Sequence, residues 1–82
     1  MYALHYIYTE DGRQIEEELI AVSESPDALM HAAESDSYGK GCSSLAKFEH
    51  IGNGYFAYVL YGTDDERRHE RAKYCISHVP LV

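Results

Sequence analysis

Two glycine-containing turns do most to limit what this chain can become. Asp11-Gly12 and Gly52-Asn53-Gly54 each stand between two strand-like segments. Asp-Gly and Asn-Gly pairs reach the positive φ that tight hairpins need, and strands joined by so few residues run antiparallel. The chain is therefore expected to be built on antiparallel hairpins.

The remaining segments fit that frame. Residues 2–9 read as a strand, with Tyr2, Leu4, Tyr6 and Tyr8 on one face and Ala3, His5, Ile7 and Thr9 on the other. A second strand runs from about Gln14 to Val22; its faces are Ile15, Glu17, Leu19, Ala21 and Glu16, Glu18, Ile20, Val22, solvated in the first half and buried in the second. Ser25-Pro26 opens a helix, because serine accepts at the N-cap and proline fits the first helical position. Leu29, Ala32 and Ala33 give that helix a narrow apolar stripe whose small residues imply close packing on a sheet. The helix is expected to end in the stretch from Ser35 to Gly39, and residues 37–43 to form a loop. A third strand spans about Ser44–Ile51 and a fourth Tyr55–Tyr61, the latter apolar on both faces and so central. Thr63 and Glu66 fit a capping box for a short charged helix or turn holding Arg67, Arg68 and Arg71. Residues 73–79 return to strand, and Pro80 stops it.

The expected fold is a single α+β domain over residues 1–82. It is a mostly antiparallel four- to five-stranded sheet with one main helix packed on one face, in the order β-β-α-β-β-(short helix or turn)-β. Phe56, Leu60 and Ile76 are expected between sheet and helix with Leu4, Leu29 and Ala32 or Ala33.

Charge narrows function. Fourteen acids against seven bases give a formal net charge of −7. That balance disfavours direct nucleic-acid binding and anionic membranes, which need clustered Lys and Arg, and it favours a protein partner with a basic surface. Solubility alone is the plainer use of the same charge. The apolar runs fall far short of the roughly 20 residues of a membrane helix. The opening Met-Tyr-Ala-Leu-His-Tyr-Ile-Tyr lacks a basic leader and a cleavage site, so the expectation is a cytoplasmic protein with Cys42 and Cys75 as free thiols.

No cofactor motif is visible. His5, His31, His50, His69 and His78 lie singly on separate segments without metal-ligand spacing, although His50 and His78 could meet on neighbouring strands. Cys42 sits in a glycine-rich loop without a nucleophile signature, and Gly39-Lys40-Gly41 is a fragment of a phosphate loop without the rest of the motif. The expectation is no catalytic residue, no metal and no enzyme.

The candidate contact surface is acidic. Glu16 and Glu18 project from one strand face about 6.6–6.8 Å apart. With Glu10 and Asp11 they make a ridge able to meet lysines and arginines, with Tyr6 or Tyr8 as exposed aromatics beside it. Asp64 and Asp65, with Glu66, form a second acidic cluster, weakened by the arginines that follow. The plainer reading is a solvated strand whose acids blunt a sheet edge.

The layout resembles the small phage-encoded anti-CRISPR proteins. The aromatic fourth strand with its exit, Gly54-Tyr55-Phe56-Ala57-Tyr58-Val59-Leu60-Tyr61-Gly62-Thr63, and the closing Ser77-His78-Val79 are similar to the C-terminal half of one type I inhibitor. Ser23 to Ser35 and the Ile51–Tyr55 hairpin are similar to the layout of another. The resemblance implies a viral, non-enzymatic inhibitor in the host-cell cytoplasm, binding a basic surface of a Cas complex by DNA mimicry or blocking effector recruitment. It implies no particular functional residue. The alternative is a small antitoxin-like or regulatory domain acting through homodimerisation and partner binding.

Overall fold

The computed structural model describes residues 1–10, 13–41, 44–60 and 72–80. Its elements are β1 (Tyr2–Glu10), β2 (Arg13–Ser23), α1 (Pro26–Gly39), β3 (Ser44–Leu45), β4 (Glu49–Ile51), β5 (Gly54–Leu60) and β6 (Ala72–His78). The strands form one antiparallel sheet in the order β2-β1-β6-β5-β3, with β4 also paired to β5. The α+β class, the element order and the antiparallel pairing follow the expectation. The capping box at Thr63 and its arginines lie outside the described residues.

The third strand is broken. β3 pairs with one end of β5 and β4 with the other, bridged by the Ala46 N–H donating to the Tyr58 carbonyl at 2.9 Å. A regular strand sends residues three apart to opposite faces. The break lets Leu45 and Phe48 both pack against the same core. At the β4–β5 turn, Gly52 takes φ 48°. Gly54 begins β5 where β6 approaches so closely that a Cβ would lie 2.1 Å from the Ile76 carbonyl oxygen.

Helix α1 begins as its sequence dictates. The Ser25 hydroxyl accepts from the Ala28 N–H at 3.3 Å, and Pro26 occupies the first turn. The helix ends at Gly39, within the expected stretch, with Lys40 as its C-cap, and it takes in Ser37, Tyr38 and Gly39. Those residues are not loop. Ser37 is buried and donates to the Glu34 carbonyl at 2.8 Å, which keeps a small polar residue in the last turn.

The core lies between α1 and one sheet face: Leu4 and Tyr6 of β1, Leu29 and Ala33 of α1, Val59 of β5, and Ala72, Tyr74 and Ile76 of β6. Phe56 is not part of it. Pairing sets Tyr55 opposite Ile76 and Phe56 opposite Cys75, so Phe56 turns to the far face, where its ring meets Tyr58 edge-on at 5.4 Å. The alternation of this strand was legible, but aromatic residues on both faces left the inward face undetermined. The Leu60 side chain lies outside what the structure describes.

Strand β2 departs from simple alternation. Leu4 opposes Ala21, but His5 opposes Leu19, so the register slips at Ile20; a second slip at Ile15 follows Tyr8 opposite Glu16. Ile20 and Ala21, adjacent in sequence, both pack against the core. Beyond the slip, Glu18 and Glu16 lie on the α1 side, opposite Tyr6 and Tyr8, and Leu19 turns away with Val22.

Candidate functional site

The acidic ridge stands on a sheet edge. β2 is the terminal strand of the sheet, and Arg13 through Leu19 are all exposed. Glu16 and Glu18 share one face, as their spacing predicts. Glu10 is exposed at the end of β1, opposite Arg13. Asp11, Asp64 and Asp65 lie outside the described residues.

The tyrosines expected beside the ridge are not both available. Tyr6 is 8% exposed and belongs to the core, contrary to its expected exposure. It shares the inward face of β1 with Leu4, its ring stands 5.2 Å from that of Tyr74, and its other neighbour is Lys40. That side chain returns from the end of α1, stands 4.6 Å from the Tyr6 ring centroid, and donates to Glu18 Oε1 at 2.9 Å and to Asp36 Oδ2. Tyr8 is half-buried and packs against the core.

Asp36 is the hub of this cluster, since its Oδ2 also accepts the fully buried Tyr74 hydroxyl at 2.6 Å. Burial would push its carboxyl up, but the hydrogen bonds from Lys40 and Tyr74 and the lysine charge outweigh that and hold it below its ordinary value. Burial would likewise lower the Lys40 ammonium, and its bonds to Asp36 and Glu18 raise it instead. The Asp36–Tyr74 bond alone spans 38 positions of chain, from α1 to β6. The cluster ties the helix C-terminus to the sheet, and Glu18 is therefore partly committed within the fold. Glu16 and Glu17 carry no ion pair among the described residues.

At the other end of the same face lies a concavity of about 370 Å³ lined by Tyr2, His50, Gly52, Asn53, Tyr55 and His78. Two ring pairs form its walls: Tyr2 with His78 at 5.3 Å, nearly perpendicular, and His50 with Tyr55 at 5.0 Å, tilted. His50 and Tyr55 also line a neighbouring cavity of about 570 Å³ beneath α1, with Met30, Leu45 and Phe48. His50 and His78, expected on neighbouring strands as possible metal ligands, lie instead on β4 and β6, on either side of β5. Their tyrosine partners come from cross-strand pairing, which residue spacing does not reveal.

Chemistry at the cysteines has little support. Cys75 is a free thiol on β6. Burial pushes its pKa up, Lys73 pulls it back and Glu17 adds to the rise, so the reactive thiolate is disfavoured. Cys42 lies outside the described residues. Gly39-Lys40-Gly41 is the end of a helix, with Gly41 at φ 77°, and its lysine is engaged with carboxylates. Among the described residues no three His, Cys, Asp or Glu side chains come together to hold a metal, and no helix is long and apolar enough to cross a membrane. Compared with known proteins, the chain matches no family model, no curated protein and no solved structure.

Proposed function

We propose that this chain is a non-enzymatic protein-binding inhibitor that docks the acidic end of β2 on a basic protein surface. The observation that carries the reading is an exposed edge strand bearing Glu16, Glu17 and Glu18 in succession, of which only Glu18 is held by a lysine among the described residues. Consecutive acids on an edge discourage strand addition. The register slips at Ile15 and Ile20 further break the flat ladder that an added strand would need. The edge is thus suited to side-chain contact with cations. Long-range attraction to a basic groove speeds encounter, and Tyr8 adds adjoining aromatic area.

The resemblance to phage-encoded anti-CRISPR proteins supplies the first partner to test, a type I surveillance complex whose DNA-binding groove is basic. The experiment is target-DNA binding by the purified complex in increasing amounts of this protein, with capture from a bacterial lysate and mass spectrometry alongside. The reading expects loss of DNA binding and recovery of Cas subunits. Direct binding of DNA by this chain contradicts it.

One observation favours a second reading, a regulatory domain that works as a homodimer. The sheet face away from α1 carries Leu19 at 59% and Val22 at 57% exposure, with half-buried Phe56 and Tyr58. No described element covers it. Sedimentation over a range of concentrations decides this: a monomer throughout removes the dimer reading.

A further inference from the structure

The concavity at the Tyr2 end of the sheet differs in chemistry from the acidic edge and lies about 20 Å from Tyr8, six residues along β1. No lysine or arginine lines it. Its walls are two tyrosine–imidazole pairs, and its floor reaches the Gly52-Asn53 turn. His50, His78 and Asn53 are exposed, so it opens to solvent, whereas Tyr2 and Tyr55 are half-buried and held by the sheet. Such a lining offers π faces, two phenol oxygens, an amide oxygen and imidazole nitrogens.

A planar cation suits that inventory. A guanidinium stacks on aromatic rings and donates from five N–H groups in a fixed fork, while an ammonium is a compact, strongly hydrated point charge. The net charge of −7 favours a cation over an anion at any neutral site of the surface. The fold already uses cation–ring attraction once, where Lys40 stands over Tyr6. The cavity beneath α1, sharing the His50 and Tyr55 wall, places apolar surface from Met30, Leu45 and Phe48 beside the same opening. An arginine entering from a partner chain would therefore find room next to it for a neighbouring apolar side chain.

We infer that the Tyr2–His50–Tyr55–His78 concavity is an arginine-binding pocket, a second anchor for the basic partner on the same face as the acidic ridge. The inference rests on the reading of this chain as a binder of basic protein surfaces and names one side chain that surface would present.

The test does not need the partner. Acetyl-Gly-Arg-Gly-amide is titrated into the full chain while the imidazole C–H signals of all the histidines and the tyrosine ring signals are followed by NMR. The lysine counterpart and inorganic phosphate serve as separate probes. The expected result is saturable shifts at His50, His78, Tyr2 and Tyr55 with the arginine peptide, and roughly tenfold weaker binding of the lysine peptide. His50→Ala/His78→Ala and, separately, Tyr2→Leu should each weaken the arginine peptide several-fold without changing the shifts near Glu16. Equal response to lysine, a stronger response to phosphate, or shifts confined to the acidic edge each overturn the inference. Failure of charge reversal on β2 to affect partner binding would leave these shifts intact, so the two proposals fail separately.

Discussion

The two faces of this sheet are made by the same alternating strands and end in opposite conditions. On the α1 face, Leu4, Val59, Tyr74 and Ile76 are almost wholly removed from water, and the deep Tyr74 hydroxyl is satisfied by Asp36. On the far face, His5, Ile7, Phe56, Tyr58 and Cys75 are half-buried by one another, and Leu19 and Val22 stand exposed. A single helix of 14 residues can cover one face of a sheet this size and no more. Stability is thereby concentrated on one side, and the other side and the β2 edge can change with little cost to folding.

That contrast can be broken most severely at Gly54, where both faces depend on β5 lying against β6. Gly54→Ala would force a methyl group into the Ile76 carbonyl, a backbone contact that cannot yield as a side chain would. The expected loss is about 3 kcal/mol or more, up to failure to fold. Circular dichroism of the purified variant checks this, and a melting point near that of the parent would mean the β5–β6 pairing is wrong.

A paired truncation sharpens the comparison. Leu4→Ala, on the covered face, should cost about 2–5 kcal/mol in chemical denaturation. Phe56→Ala, on the open face, should cost about 1 kcal/mol, since it gives up mainly its contact with Tyr58. Equal losses would mean that the open face is covered after all.

The next effect is polar. Tyr74→Phe leaves the core volume in place and removes the bond to Asp36, an expected loss of about 1 kcal/mol. It should also change the acid response. Asp36 is held below its ordinary value of 3.8, so its contribution is fully present above the carboxylate range and disappears as pH falls through and below 3.8. Without the Tyr74 bond the carboxyl titrates closer to 3.8, and the difference in stability between parent and variant should shrink at low pH. A difference that holds constant down to the acid transition would show that the bond is not coupled to the ionised carboxylate.

Much of this architecture was legible from residue order. The Ser25-Pro26 start is a local signal, decided by hydrogen bonds within one turn, and it appears in the structure as read. The hairpin at Gly52 is likewise local. What was hidden depended on partners distant in sequence. The slip at Ile20 exchanges the faces of Leu19 and Glu18 relative to Ala21, and no pattern within β2 announces it. Lys40 looked like a loop lysine because its partners are Glu18, on β2, and Asp36, in a helical turn that was read as the end of the helix. The neighbours that bury Tyr6, among them Tyr74 on β6 and Lys40 after α1, are likewise distant in sequence. Of the ridge, Glu16 carries no ion pair among the described residues and Glu18 is shared with the fold, while Glu17, on the opposite face of β2, adds a further unpaired carboxylate to the edge.

The smallest expected effect on stability accompanies the most direct test of function. Glu16→Lys with Glu17→Lys alters two exposed side chains and should shift stability by about 0.5 kcal/mol or less each. The decisive measurement is the association rate of this double variant with a purified type I surveillance complex, beside the parent, at low and moderate salt. The parent is expected to bind with an on-rate that falls as salt rises, and the variant to associate roughly tenfold or more slowly at low salt while melting like the parent. Equal association rates for variant and parent, or no association by the parent, would contradict that expectation.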